Sequence, residues 1–190
     1  MEKPTVKQVS DAAELRAVTH PLRARMLGSL RTDGPATASE LGRRFGESSG
    51  TTSYHLRLLE KHGFIELDPE QPNARDKRWR ALHHYTGWSN AEALKNPELG
   101  EAVRAMRQRQ LGNVVEATET FEAQRGERWS DEWTEVAGHG DHAARLTPES
   151  VKEIRDRLMA LVHEYSARDA TASGTEMVRI FIAAIPVAED

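Results

Sequence analysis

The chain contains no cysteine, which excludes disulfides, thiolate metal sites and cysteine nucleophiles together. It also lacks any run of eighteen apolar residues, and its opening stretch MEKPTVKQVSDAAEL has no apolar segment of the kind an export signal needs. Neither a membrane span nor a secretory signal is expected, so the chain is expected in the cytoplasm, with no membrane partner. Missing as well are a glycine-rich phosphate loop and an H-E-x-x-H metal helix. Without them catalysis is not expected, and no cofactor is implied. What is present is 38% apolar and 29% charged residues over 190 positions, ordinary for a folded chain with one sizeable core or two small ones.

The net charge of −4 hides an asymmetry. Residues 1–88 hold 14 Lys and Arg against 11 Asp and Glu, a balance of +3, whereas residues 89–190 hold 12 against 19, a balance of −7. A mildly basic half beside an acidic one suits a DNA-reading module joined to a region with another task.

Helix punctuation divides the basic half. Asp11 followed three residues on by Glu14 is a capping-box pattern, and Leu15 and Val18 give the short helix an apolar side before His20-Pro21 interrupts it. Pro21 suits the first position of a second helix, which carries Leu22, Met26, Leu27 and Leu30 and stops at Asp33-Gly34-Pro35. Thr37 to Glu40 is again a capping box, opening a third helix with Leu41 and Phe45 that ends at Gly46. Ser48 or Ser49 caps a fourth, ending at Gly63. Only Gly46-Glu47 separates the third helix from the fourth, the tight turn of a helix-turn-helix, whose second helix usually enters a major groove.

On the fourth helix Thr52, Leu56 and Leu59 share one face by their spacing, leaving Gly50, Ser53, Tyr54, Arg57 and Lys61 on the other. That outer face offers hydroxyls, a small residue permitting close approach, an aromatic tip and two cations. Hydroxyls can bond base edges or phosphates, Arg reads guanine bidentately, and Lys neutralises phosphate. After Gly63, the segments Phe64 to Leu67 and Trp79 to Leu82 read as two strands flanking a polar loop, with Arg75, Lys77 and Arg78 on the tip and return strand. Such a wing can lie along phosphates or reach a minor groove.

The run from Ser48 to Ile65, SSGTTSYHLRLLEKHGFI, resembles the recognition helix of ArsR-type winged-helix repressors, with their S-x-x-T-x-S-x-H-L…L…G-L/F-I/V pattern. His20-Pro21-Leu22-Arg23, followed by Met26-Leu27, resembles the same family's H-P-x-R-x-x-I-L segment. Together these cover about residues 11–85. The resemblance implies a DNA-binding homodimer acting as a transcriptional regulator, most often a repressor, on a pseudo-palindromic double-stranded operator. It places Ser49, Gly50, Thr51, Ser53, Tyr54 and Arg57 toward DNA, and His55 at the family's histidine, read here as a structural residue.

Many relatives of this type sense soft metals through a Cys-x-Cys on the third helix, but here the helix reads ASELGRR, so that sensor chemistry is excluded. Two histidine pairs remain, His83-His84 and His139 with Asp141 and His142, of types that zinc or nickel would accept, but a site also needs converging partners and a second shell that spacing does not supply, and no metal site is assigned.

In the acidic half, helix starts at Ser89-Asn90 and at Asn96-Pro97 precede apolar residues from Leu99 to Phe121 at spacings of mostly three or four. This predicts a long helix that dimerises. Trp129 and Trp133 suggest packing. Ala143 to Leu146 reads as a short strand, Thr147-Pro148-Glu149 opens another helix with an apolar stripe from Val151 to Tyr165, and Met177 to Pro186 reads as a buried strand. Longer ArsR-type regulators end in a similar helix, apolar strand and proline. The tail would sense an unknown small-molecule effector, add dimer contacts or merely stabilise.

The expected architecture is mainly α with small β content: a winged helix-turn-helix DNA-binding domain over 8–88, then a region over 89–190 with the long dimerisation helix and a small α/β C-terminal part. The competing function is a winged helix serving as a protein-interaction scaffold without sequence-specific DNA binding. An apolar patch on the fourth helix would favour it; the polar face does not.

Overall fold

The structure is a computed structural model that describes residues 4–71 and 77–188. It divides into two compact units, residues 1–109 and 110–190. The division falls later than residue 88 because Leu99, Ala102, Val103 and Met106 of the long helix are buried with the first unit's core.

In the first unit the chain runs β1 (Val6–Val9), α1 (Ala12–Thr19), α2 (Pro21–Thr32), β2 (Ala36–Thr37), α3 (Ala38–Phe45), α4 (Ser49–Lys61), β3 (Ile65–Leu67), β4 (Arg78–Ala81), β5 (Tyr85–Trp88) and α5 (Asn90–Lys95), then enters α6 (Pro97–Gln124). Every helix start read from the sequence is realised. The Asp11 side chain accepts from the Glu14 N–H at 2.8 Å, Thr37 and Glu40 close a reciprocal box at 3.2 and 2.7 Å, and Ser48 caps α4 at 3.0 Å. Gly46 and Gly63 end α3 and α4 with φ of 72° and 67°, where a side chain would be strained.

Apolar stripes from α1, α2, α3 and α4 meet in one core with Phe64, Ile65 and Trp79. Leu15, Met26, Leu41, Leu56, Leu59 and Phe64 have no exposed surface. Three strands escaped the sequence reading: β1, β2 and β5. β2 is only two residues long and adds to the wing as a third strand, in the order β2-β4-β3 with antiparallel pairing. β1 pairs in parallel with β5, Val6 opposite Tyr85 and Val9 opposite Trp88. All three are too short to show a period, and their pairing is non-local.

The second unit holds the end of α6, a short α7 (Asp131–Val136) and α8 (Pro148–Asp169). α7 is capped by Ser130 and places Trp133 on its first turn. Two expected strands do not form. Residues 143–146 and 177–186 have no regular structure, and Met177, Val178, Ile180, Phe181 and Ile185 are exposed. A strand exists only with a partner to exchange hydrogen bonds, and these segments have none among the described residues.

Candidate nucleic-acid interface

The turn between α3 and α4 is built around a close approach. The Glu47 N–H donates to the Gly42 carbonyl at 2.8 Å, and a Cβ on Gly42 would lie 2.7 Å from the Glu47 carbonyl oxygen. Only glycine fits there. The Thr52 hydroxyl, wholly buried, donates to the Ala38 carbonyl at 2.7 Å and ties the start of α4 to the start of α3. Arg44 holds α3 to α2 through Asp33 and Ser29. The angle between the two helices thus rests on buried polar contacts as well as on apolar packing.

Behind α4 sits a cluster that explains the H-P-x-R segment. The Arg23 guanidinium donates to the Ala17 carbonyl and, at 3.0 Å, to the Arg16 carbonyl. These are open carbonyls at the C-terminus of α1, where a cation is favoured. Its remaining arm lies 3.5 Å from His55 Nδ1. The His55 ring is buried, with its centroid 4.6 Å from that of His20. Burial first, then Arg23, lowers the pKa of His20; burial, then His20 and Arg23, lowers that of His55. Both rings are therefore held neutral near pH 7, and His55 supports α4 from within.

The outward face of α4 carries Ser49, Gly50, Tyr54, Arg57 and Lys61 exposed, with Thr51 and Ser53 half-buried. Tyr54 is 57% exposed. Thr51 is partly engaged, its hydroxyl 2.8 Å from that of Ser48. Across a groove of about 470 Å³ lie Lys77 and Trp79 of the wing and Thr37, Ala38 and Ser39 at the start of α3, facing Ser53, Arg57 and Glu60. The sequence reading did not single out Thr37 and Ser39 for this place, since a capping box looks purely structural in one dimension.

The wing's cations have different fates. Lys77 is exposed. Arg78 turns inward and donates to the Pro35 carbonyl at 2.6 Å, while its backbone pairs with Gln71 and Asp68 at 2.8 and 2.9 Å, closing the base of the hairpin. Arg80 pairs across the strands with Glu66 at 2.6 Å. Arg75 lies outside the described residues.

No group of three or more His, Asp or Glu able to hold a metal ion occurs among the described residues. His83 sits in a cationic field: burial, then Lys7, Arg31 and His84, lowers its pKa. His139 is hydrogen-bonded to the Thr118 hydroxyl at 2.9 Å. In the second unit a largely apolar concavity of about 430 Å³ is lined by Ser130, Glu132, Trp133, Val136 and Gly174. No helix among the described residues is long and apolar enough to cross a membrane.

A helical core with a short helix-turn-helix and a β-hairpin beside its second helix defines a winged helix-turn-helix unit. Residues 18–68, from the end of α1 through β3, match the family model described as a helix-turn-helix domain. Among solved structures, the chain is similar to an ArsR family transcriptional regulator at 25% identity, covering 53% of this chain and 84% of that one, with a TM-score of 0.32. It is also similar to a double mutant of ZitR from Lactococcus lactis in apo form, at 15% identity, covering 77% and 83%, with a TM-score of 0.35. A MarR family regulator from Neisseria meningitidis follows at 13% identity, covering 78% and 80%, with a TM-score of 0.32. No curated protein matches the chain.

Proposed function

We propose that this chain is a sequence-specific double-stranded DNA-binding transcriptional regulator, acting as a homodimer and a repressor in the cytoplasm, without catalytic activity. The observation that carries the reading is the outward face of α4. It is polar and cationic while its inner face is locked by Thr52, His55, Leu56 and Leu59. A solvated helix surface needs no such support; a helix that must hold its side chains at base-pair distance does.

In this reading Ser49, Gly50, Thr51, Ser53, Tyr54 and Arg57 meet the major groove, with Arg57 reading a purine edge and the hydroxyls bonding bases or phosphates. Lys61 neutralises phosphate from the last turn of α4. Lys77, with Arg75, supplies wing contacts, and Arg78 acts by fixing the wing base. Two such units would seat their α4 helices in successive major grooves about 34 Å apart. An unknown small-molecule effector would act through the second unit.

Selection of bound duplexes from a random pool at moderate salt tests this directly. An enriched inverted repeat with half-site centres about one turn apart is expected. Folded protein that enriches no sequence would overturn the reading and leave the protein-interaction scaffold in its place.

A further inference from the structure

No described residue after Met106 is buried. The 22-residue α8 keeps Ile154, Leu158, Leu161 and Tyr165 exposed and only Val151, Met159 and Val162 half-buried, which offsets little of the entropy of ordering it. Along α8, Val151, Ile154, Leu158, Leu161 and Tyr165 recur at alternating steps of three and four. This is the three-four spacing of a coiled-coil seam, widened on one side by the half-buried Val162. Ile154, Leu158, Leu161 and Tyr165 are 45%, 38%, 49% and 46% exposed. Together with the exposed apolar tail the unit shows on the order of several hundred Å² of apolar surface, more than a lone soluble chain usually carries and comparable to one side of a stable dimer.

The charges beside the seam choose its occupant. On one flank stand Arg157 and Glu164, on the other Arg155 and Val162. Glu164 has no ion-pair partner among the described residues, and Arg157 is held only by Glu153 on the exposed surface at 2.5 Å. Consider two copies of α8 laid antiparallel with Leu158 against Leu161 of the second copy. Ile154 then faces Tyr165, and Arg157 meets Glu164 twice, once on each side of the two-fold axis. Sliding one seam step either way sets Arg157 against Arg157 or Glu164 against Glu164. A parallel pair sets Glu164 beside Asp169. One arrangement of a self-complementary surface joins opposite charges, and every neighbouring one opposes like charges.

We propose that α8 is a homodimer interface, pairing antiparallel with α8 of a second copy about a two-fold axis between Leu158 and Leu161, its register set by reciprocal Arg157 and Glu164 pairs. The inference rests on the homodimeric reading above and adds where and how the two copies meet.

The test is a charge-reversal cycle on the full chain, read by sedimentation equilibrium at low salt. Arg157→Glu and Glu164→Arg, made singly, each turn two attractions into two repulsions and should weaken the dimer roughly tenfold. The double variant Arg157→Glu with Glu164→Arg should recover most of that loss, which no mere unfolding of α8 could do. As a second readout in a chain without cysteine, Leu158→Cys with Leu161→Cys should form an intermolecular disulfide under mild oxidation. Unchanged dimerisation in both single variants overturns the interface. Tighter association of Glu164→Arg overturns the antiparallel sense, since it relieves Asp169. A chain that still dimerises and selects an inverted repeat while ignoring every α8 change sinks only this inference. A wild-type monomer that selects no repeat sinks the DNA-reading proposal with it.

Discussion

Gly42 and Thr52 show how single residues set the geometry of the DNA-facing helix. Gly42→Ala forces a Cβ against the Glu47 backbone, where no side chain can rotate away, and should destabilise the first unit by about 1–3 kcal/mol. Thr52→Val keeps the shape but leaves the Ala38 carbonyl without its donor, a cost of about 1–2 kcal/mol. Denaturant titration of each variant gives these values directly; a loss below the error of the measurement would mean that the turn relaxes freely. Arg57 and Lys77 separate by specificity. Across operator variants, Arg57→Ala should relax preference at one position per half-site, whereas Lys77→Ala should weaken all sequences alike and lower the salt slope by about 1. Uniform loss from both would remove Arg57 from base reading.

At the scale of elements, the packing of α1 and α2 behind α4 makes the support of that helix sensitive to pH. His20 and His55 have folded pKa values below the ordinary 6.5, chiefly through burial, and His83 behaves likewise. The unfolded chain therefore takes up protons near pH 6 that the folded chain refuses. Stability from this source is complete above about pH 6.5 and falls as pH drops from there toward the folded values. The lowered pKa of Glu40, due first to the Thr37 backbone and then to its hydroxyl, adds a second loss only in the more acidic carboxylate range. Unfolding midpoints at pH 7.5 and 5.5 should differ, and His55→Asn should flatten the difference. Equal slopes in both proteins would show that the cluster does not titrate on folding. The wing is another lesson at this scale: its two longer strands were legible because Gly63, Pro69 and Pro72 punctuate them. The turning of Arg78 toward Pro35 was not, because a cation in a polar loop looks exposed until a carbonyl is found beneath it.

For the whole molecule, the basic and acidic halves predict opposite responses to salt. Raising it from about 50 to 200 mM should weaken operator binding by orders of magnitude through counterion release, while apolar contacts along α8 should strengthen or stay unchanged apart from the loss of its flanking pairs. Measuring DNA affinity and the dimer constant over the same salt series separates the two; parallel losses of similar size would show that dimerisation is itself mainly electrostatic.

Helix starts and stops were determined by the sequence alone, because caps, N1 prolines and left-handed glycines act over three or four residues: Asp11, Thr37, Ser48 and Ser89 all cap the helices their positions announce. The two faces of α4 were legible for the same local reason, a helical period. Tertiary structure decided what depends on partners distant in the chain. β1 exists because β5 lies beside it, Thr37 and Ser39 face the groove because the wing folds back over α3, and the division falls after Arg109 because the start of α6 is buried with the first core. The apolar run at 177–186 is the converse case. Its composition favours a strand, but a strand is a property of a pair, and among the described residues no second edge meets it.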